Sequence, residues 1–182
     1  NEIIIAMMHS HKAAQEKNEV TKVKKTGIYV KVNDEMKKIY PTVFSGSKTN
    51  TLGAALSYGL ADAKIKSTLN GEHSQNLVNS NSPEFYFYFD FSQTSELSLR
   101  AINWWFSVAS SPNEFVLVKL KSKSRKREME IGKVNIYAGN SIGVDEKNII
   151  KFDIEVLNDN EFKVIPAWFL EPGEYCFYYQ GI

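Results

Sequence analysis

"PEFYFYFDFS", residues 83–92, is the stretch on which the fold turns. Four Phe and two Tyr fill the positions from Phe85 to Phe91, and only Asp90 interrupts them. Successive side chains on a strand point to opposite faces, so Phe85, Phe87, Phe89 and Phe91 share one face while Tyr86, Tyr88 and Asp90 share the other. The Phe face is expected to fill a core between sheets. The Tyr face fits either burial or exposure, because a tyrosine hydroxyl can stay wet while its ring is covered.

Period-two patterning extends outward from this strand. "GIYVKV" (27–32) alternates, Asn33 and Asp34 supply turn residues, and "EMKKIYPTVF" (35–44) returns as a second strand. Gly and Ser in "SGSKTNTLGAALSYGLAD" mark a loop with one short helical turn around Leu52 to Tyr58. Asn70 and Gly71 close "AKIKSTLNG" with a dipeptide suited to a tight hairpin reversal. "LRAINWWFSVA" (99–109) is compatible with helix or strand, and Trp104, Trp105 and Phe106 favour strand.

Residues 114–134 read as a long hairpin with a charged tip from Lys121 to Arg127. Asp145 is placed to start a helical turn, Asn158 and Asp159 to bend a further hairpin, and Pro172–Gly173 to form a type II turn before the last strand. About nine or ten strands at short spacing, without regular helices between them, predict an all-β, antiparallel β-sandwich. Residues 1–26 differ: a short apolar start and a polar, helix-compatible stretch predict a helical or irregular extension before a single domain at 27–182.

Composition excludes several classes of function. With 22 basic and 21 acidic residues the net charge is +1, which gives no global field to draw nucleic acid or an anionic membrane. Any charged partner must be met locally. The single cysteine, Cys176, excludes an internal disulfide and a cysteine-based zinc site. No apolar run approaches the roughly 20 residues of a membrane-spanning helix, so no transmembrane segment is expected. The chain starts at Asn1 rather than Met, and a cleaved export signal is one reading of that start.

Chemistry-bearing residues are few. His9 and His11 in "HSH" lack an evident third protein ligand, and His73 beside Ser74 makes no nucleophile and base unless the two meet in space with an orienting third group. No metal site and no cofactor are expected, since the common nucleotide-binding and hydrolase motifs are missing. Asp90, flanked by Phe89 and Phe91, is the most provocative single acid, since apolar neighbours tend to raise a carboxyl pKa. It would be the acid or base of a polysaccharide-acting enzyme. Lys119, Lys121, Lys123, Arg125, Lys126 and Arg127 form a basic cluster, read chiefly as a solvated hairpin tip that keeps sheet edges apart. Tyr86, Tyr88, Trp104 and Trp105 are the candidate contacts for a ligand that stacks on rings.

"GIYVKV", "PTVFSGSKTNTLGAALSYG", "PEFYFYFDF", "SPNEFVLVKL" with "GKVN", and "LEPGEYCFYY" together resemble uncharacterised exported bacterial domains, in which F-Y-F-Y-F, S-P-N-E-F and P-G-E-Y strands recur. The resemblance covers roughly residues 27 to 182. It implies a β-rich domain, secreted or held in the cell envelope, and it brings no catalytic residues. The leading expectation is therefore a noncatalytic binding module for a partner protein or a glycan. A polysaccharide-acting enzyme using Asp90 and a purely structural domain of an envelope assembly are the alternatives. Ligand identity and oligomeric state are not written in the sequence.

Overall fold

The computed structural model describes residues 26–42, 45–49, 63–89, 109–135 and 139–180, and over these the chain forms antiparallel strands joined by turns and two short 3₁₀ helices. The first hairpin joins β1 (Gly27–Val32) to β2 (Glu35–Ile39). Asn33 and Asp34 sit at φ 50° and 64°, the two left-handed residues that a two-residue hairpin turn demands. β2 stops at Ile39, before Pro41. β3 (Gly46–Thr49) pairs with β4 (Ala63–Asn70), and β5 (Phe85–Tyr88) carries the aromatic stretch.

After Pro112–Glu114, a 3₁₀ helix named η1 here, come β6 (Phe115–Lys123), β7 (Lys126–Asn135) and β8 (Gly139–Ile142). A second 3₁₀ helix, η2 (Glu146–Asn148), is capped by the Asp145 carboxylate and leads into the two-residue β9 (Ile149–Ile150). β10 (Phe152–Asn158), β11 (Glu161–Pro166) and β12 (Glu174–Tyr179) complete the chain.

Two sheets form a sandwich: one of five strands in the order β10-β11-β5-β1-β2, and one in the order β12-β6-β7-β4-β3, with β8 on β7 and β9 on β6. The all-β antiparallel sandwich expected from patterning is the architecture found. Between the sheets, Phe85, Phe87, Phe89, Ile28, Val30 and Val164 meet Phe115 and Phe177. Phe87 is fully buried, with ring centroids 5.5 Å from Phe115 and 5.0 Å from Phe177, both edge-to-face. That geometry aligns ring edges with ring faces, as the aromatic quadrupole favours.

The second sheet packs on both faces. Phe115 and Phe177 point toward the five-stranded sheet, while Val118, Leu120 and Cys176 point away and join Leu69, Met129 and Val144 in a second core. This follows from alternation: β6 reads apolar on both faces from Phe115 to Val118. The sheet must therefore curl, because Leu69 and Met129 on β4 and β7 reach the same cluster as Val118 on β6.

Several local expectations change. Gly71 takes φ 82° and turns the chain, but β4 pairs with β3 and β7 and the next strand, β5, lies in the other sheet. Asn70–Gly71 therefore closes no hairpin; Arg127 pins the turn instead, donating from Nη2 to Asn70 O at 3.0 Å and from Nε to Gly71 O at 3.1 Å. β10 runs through Asn158, so the bend falls on Asp159 and Asn160. Gly173 has no positive φ, so Pro172–Gly173 is not a type II turn; the Tyr175 hydroxyl closes the bend by donating to Glu171 O at 2.7 Å. The extension expected at 1–26, the helical turn at Leu52 to Tyr58 and the strand at 99–109 lie outside the described residues but for Thr26 and Ala109. Among the described residues, no helix is long and apolar enough to cross a membrane.

Candidate binding surfaces

The outer face of the five-stranded sheet is built by the residues opposite the Phe face. Across it run Glu155, Lys163, Tyr86, Tyr29 and Lys38, each set against the next by strand register. Tyr88 is 7% exposed, stacks edge-to-face on Tyr29 at 5.2 Å and donates its hydroxyl to Glu161 Oε1 at 2.8 Å. Tyr88, expected among the ligand contacts, is thus a buried residue of this face. Tyr86 is half-buried and donates to Glu84 Oε2 at 3.1 Å; burial and that carboxylate push its phenol pKa up. Lys163 bridges Glu84 at 3.4 Å and Glu155 at 3.2 Å. This face is a mosaic whose polar groups already satisfy one another. Trp104, Trp105, Asp90, His9 and His11 lie outside the described residues.

Exposed rings occur elsewhere. Trp168 is 56% and Phe169 75% exposed, in the segment between Pro166 and Pro172. Its backbone is tied at several points: Ala167 N donates to Lys151 O at 2.9 Å, Leu170 N to Asn81 O at 2.6 Å, and Glu171 O accepts from Tyr175. A mobile loop can turn its aromatics inward, whereas this one is held with both rings outward. Sequence reasoning passed over these residues. The available signal was an adjacent Trp and Phe bracketed by two prolines, which forbid the segment from continuing either flanking strand.

The basic hairpin is not a simple solvated tip. β6 and β7 pair only over Lys121–Lys123 with Lys126–Glu128. Below that, β9 and β12 take up β6 while β4 and β8 take up β7, so the arms part like a fork. Alternation sends Arg127 inward, where it meets Glu174 at 3.3 Å, both side chains largely buried. It sends Glu128 to the other face, where Lys66 lies at 3.4 Å, Lys123 at 3.2 Å and Lys126 closer still. Burial alone would raise the Glu128 carboxyl pKa. The hydrogen bonds from Lys126 and Lys123 and the charge of Lys66 outweigh it and hold the group at about 2.

In the opening of the fork lies a shallow depression of about 90 Å³, lined by Lys64, Lys66, Lys119, Lys121 and Lys147 with Glu128 and Glu130. Lys64 bonds Glu130 Oε2 at 3.0 Å, Lys119 bonds the exposed Glu171 at 2.6 Å, and Lys147 bonds Asp145 at 2.7 Å. Lys121 has no carboxylate partner among the described residues. Glu130 Oε1 is buried and accepts no hydrogen bond from the described residues.

His73 does not meet a nucleophile. Its Nδ1 faces Glu174 Oε1 at 3.3 Å, while the Ser74 hydroxyl accepts from Asn76 N at 3.1 Å and Ser74 N donates to Glu174 Oε2 at 2.9 Å. Cys176 has its thiol pKa pushed up to about 12 by burial, which leaves almost none of the reactive thiolate at neutral pH. Among the described residues no cluster of His, Cys, Asp or Glu is arranged to hold a metal ion. With these surfaces in view, neither a protein family, nor a curated protein, nor a solved structure matches the chain.

Proposed function

We propose that the chain is a noncatalytic binding module of an exported or cell-envelope protein, and that it engages a glycan through the loop between Pro166 and Pro172. The observation that carries this reading is the exposure of Trp168 and Phe169 on a backbone fixed at both ends. Rings presented in this way stack on the apolar face of a sugar with little ordering cost at the moment of binding. A partner protein is the other occupant two such rings fit. The envelope setting is supported by the motif resemblance over residues 27–182, and fractionation of the producing cells tests it.

A glycan array probed with the protein and with the double variant Trp168→Ala, Phe169→Ala tests the binding. Glycan binding weakened at least about tenfold in the variant, a loss of roughly 1.4 kcal/mol, at an unchanged melting temperature, supports the reading. Equal binding by both proteins, or binding of no glycan by either, would overturn it.

A further inference from the structure

We propose that the fork between β6 and β7 is a second contact, one that takes the anionic group, carboxylate or phosphate, of an acidic sugar. The proposal rests on the glycan reading above and names the class of glycan. The chain as a whole carries a net charge of only +1, yet five lysines and two glutamates line this one depression. The positive excess is local and concave, which concentrates an anion far better than the same charges on a convex surface.

The two carboxylates do not cancel the site. Glu128 is already shared among three lysines and Glu130 is held by Lys64. Lys121 is left with no carboxylate partner among the described residues, and Lys119 and Lys147 are held from the rim by Glu171 and Asp145. Those acids hold the ammonium groups at the mouth in the way that second partners orient a binding side chain. The depression has room for a few waters, which suits an anionic group and leaves the sugar ring outside.

A second observation points to hydroxyls as well as charge. Glu130 Oε1 is a buried acceptor with no donor among the described residues, an arrangement that costs free energy unless something supplies the missing bond. Because the atom is sealed from solvent, a sugar hydroxyl reaches it only where ligand binding draws the lining lysines aside, and a bare anion brings no donor. Lys119 also ties the fork to the aromatic loop, since its partner Glu171 lies three residues after Trp168.

Titration of ¹⁵N-labelled protein with glucuronate, glucose 6-phosphate, glucose and acetate at matched ionic strength is the test. The acidic sugars should shift the amides of Lys119–Lys121 and Glu128–Glu130 saturably, at least about tenfold more tightly than acetate or glucose. The single variant Lys121→Glu, at an exposed position, should weaken that binding about tenfold or more without lowering the melting temperature, and Lys147→Gln, which removes the charge without setting a second carboxylate against Asp145, should weaken it in the same direction. Acetate equal to glucuronate, or acidic-sugar binding indifferent to both variants, overturns the proposal. So does a single-stranded oligonucleotide that competes more tightly than either sugar. Neutral glycans lost on changing Trp168 and Phe169, with no acidic-sugar response in the fork, would refute the fork alone. Acidic-sugar binding in the fork, with glycan binding on the array unchanged by that double change, would refute the aromatic loop alone.

Discussion

Glu128 gathers three ammonium groups around one buried carboxylate, and the sign of its pH dependence follows. Its folded pKa of about 2 lies below the ordinary value of 4.5. The group therefore contributes stability above about pH 4.5, and that contribution is lost as pH falls through the window down to about 2. Glu128→Gln should cost about 1 kcal/mol at neutral pH, since Glu128 is buried but its lysine partners are 29–50% exposed and regain water. The deficit should shrink toward zero as the wild-type carboxylate is itself protonated. Urea midpoints of both proteins across acid pH measure this, and a deficit constant with pH would show that Glu128 is not the titrating group.

At the scale of elements, the motifs behind the resemblance turn out to be structural devices. In "SPNEF", Ser111 caps η1, Pro112 is its first residue, and buried Glu114 accepts from Ser110 N at 2.6 Å, Ser110 Oγ at 2.9 Å and Ser111 N at 3.0 Å. Burial would raise the Glu114 pKa, but these donors overcome it and lower it. Glu114→Ala leaves three donors unmet at the entry to β6 and should destabilise the fold by about 1–3 kcal/mol; Glu114→Asp, too short to reach them all, should recover little of that. A chemical-denaturation midpoint unchanged in Glu114→Ala would refute this role of Glu114. In "PGEY", Glu174 holds Arg127, His73 and Ser74 N, so the motif fastens the 70–74 turn to β12. The edge strand β10 exposes Val156 and Leu157 but breaks its register between Val156 and Asn158 and carries Asp153 and Glu155, features that blunt pairing with another chain. The β1–β2 and β6–β7 hairpins were legible because alternation and turn residues are local signals. The fork was not, because what parts β6 from β7 are partners far along the chain, such as Glu174 opposite Leu120. The same holds for Trp168 and Phe169, whose outward setting depends on backbone bonds to Lys151 and Asn81.

In the whole molecule, β6 and β12 serve two cores at once. Phe115 and Phe177 face the five-stranded sheet, and Val118, Leu120 and Cys176 face the curled half of their own sheet. Neither core can lose its wall without exposing the other side of the same two strands, so the cores should melt together. Phe87 is fully buried in the first core and Leu120 buried in the second. Phe87→Ala should cost about 3–5 kcal/mol and Leu120→Ala about 2–5 kcal/mol. Each should lower one shared transition, with near-ultraviolet circular dichroism and tryptophan fluorescence tracing the same curve. If the cores were separate units, Leu120→Ala would split the melt into two steps and leave the Phe87 side at its original midpoint. The distinction matters for binding, because the fork opens between strands of the curled half and the aromatic loop hangs from β11 and β12. One cooperative unit holds both surfaces at a fixed spacing, so a ligand long enough to reach both binds with the second contact already in place. A two-step melt would break that rigid spacing, and with it the expectation that one acidic glycan uses both surfaces together.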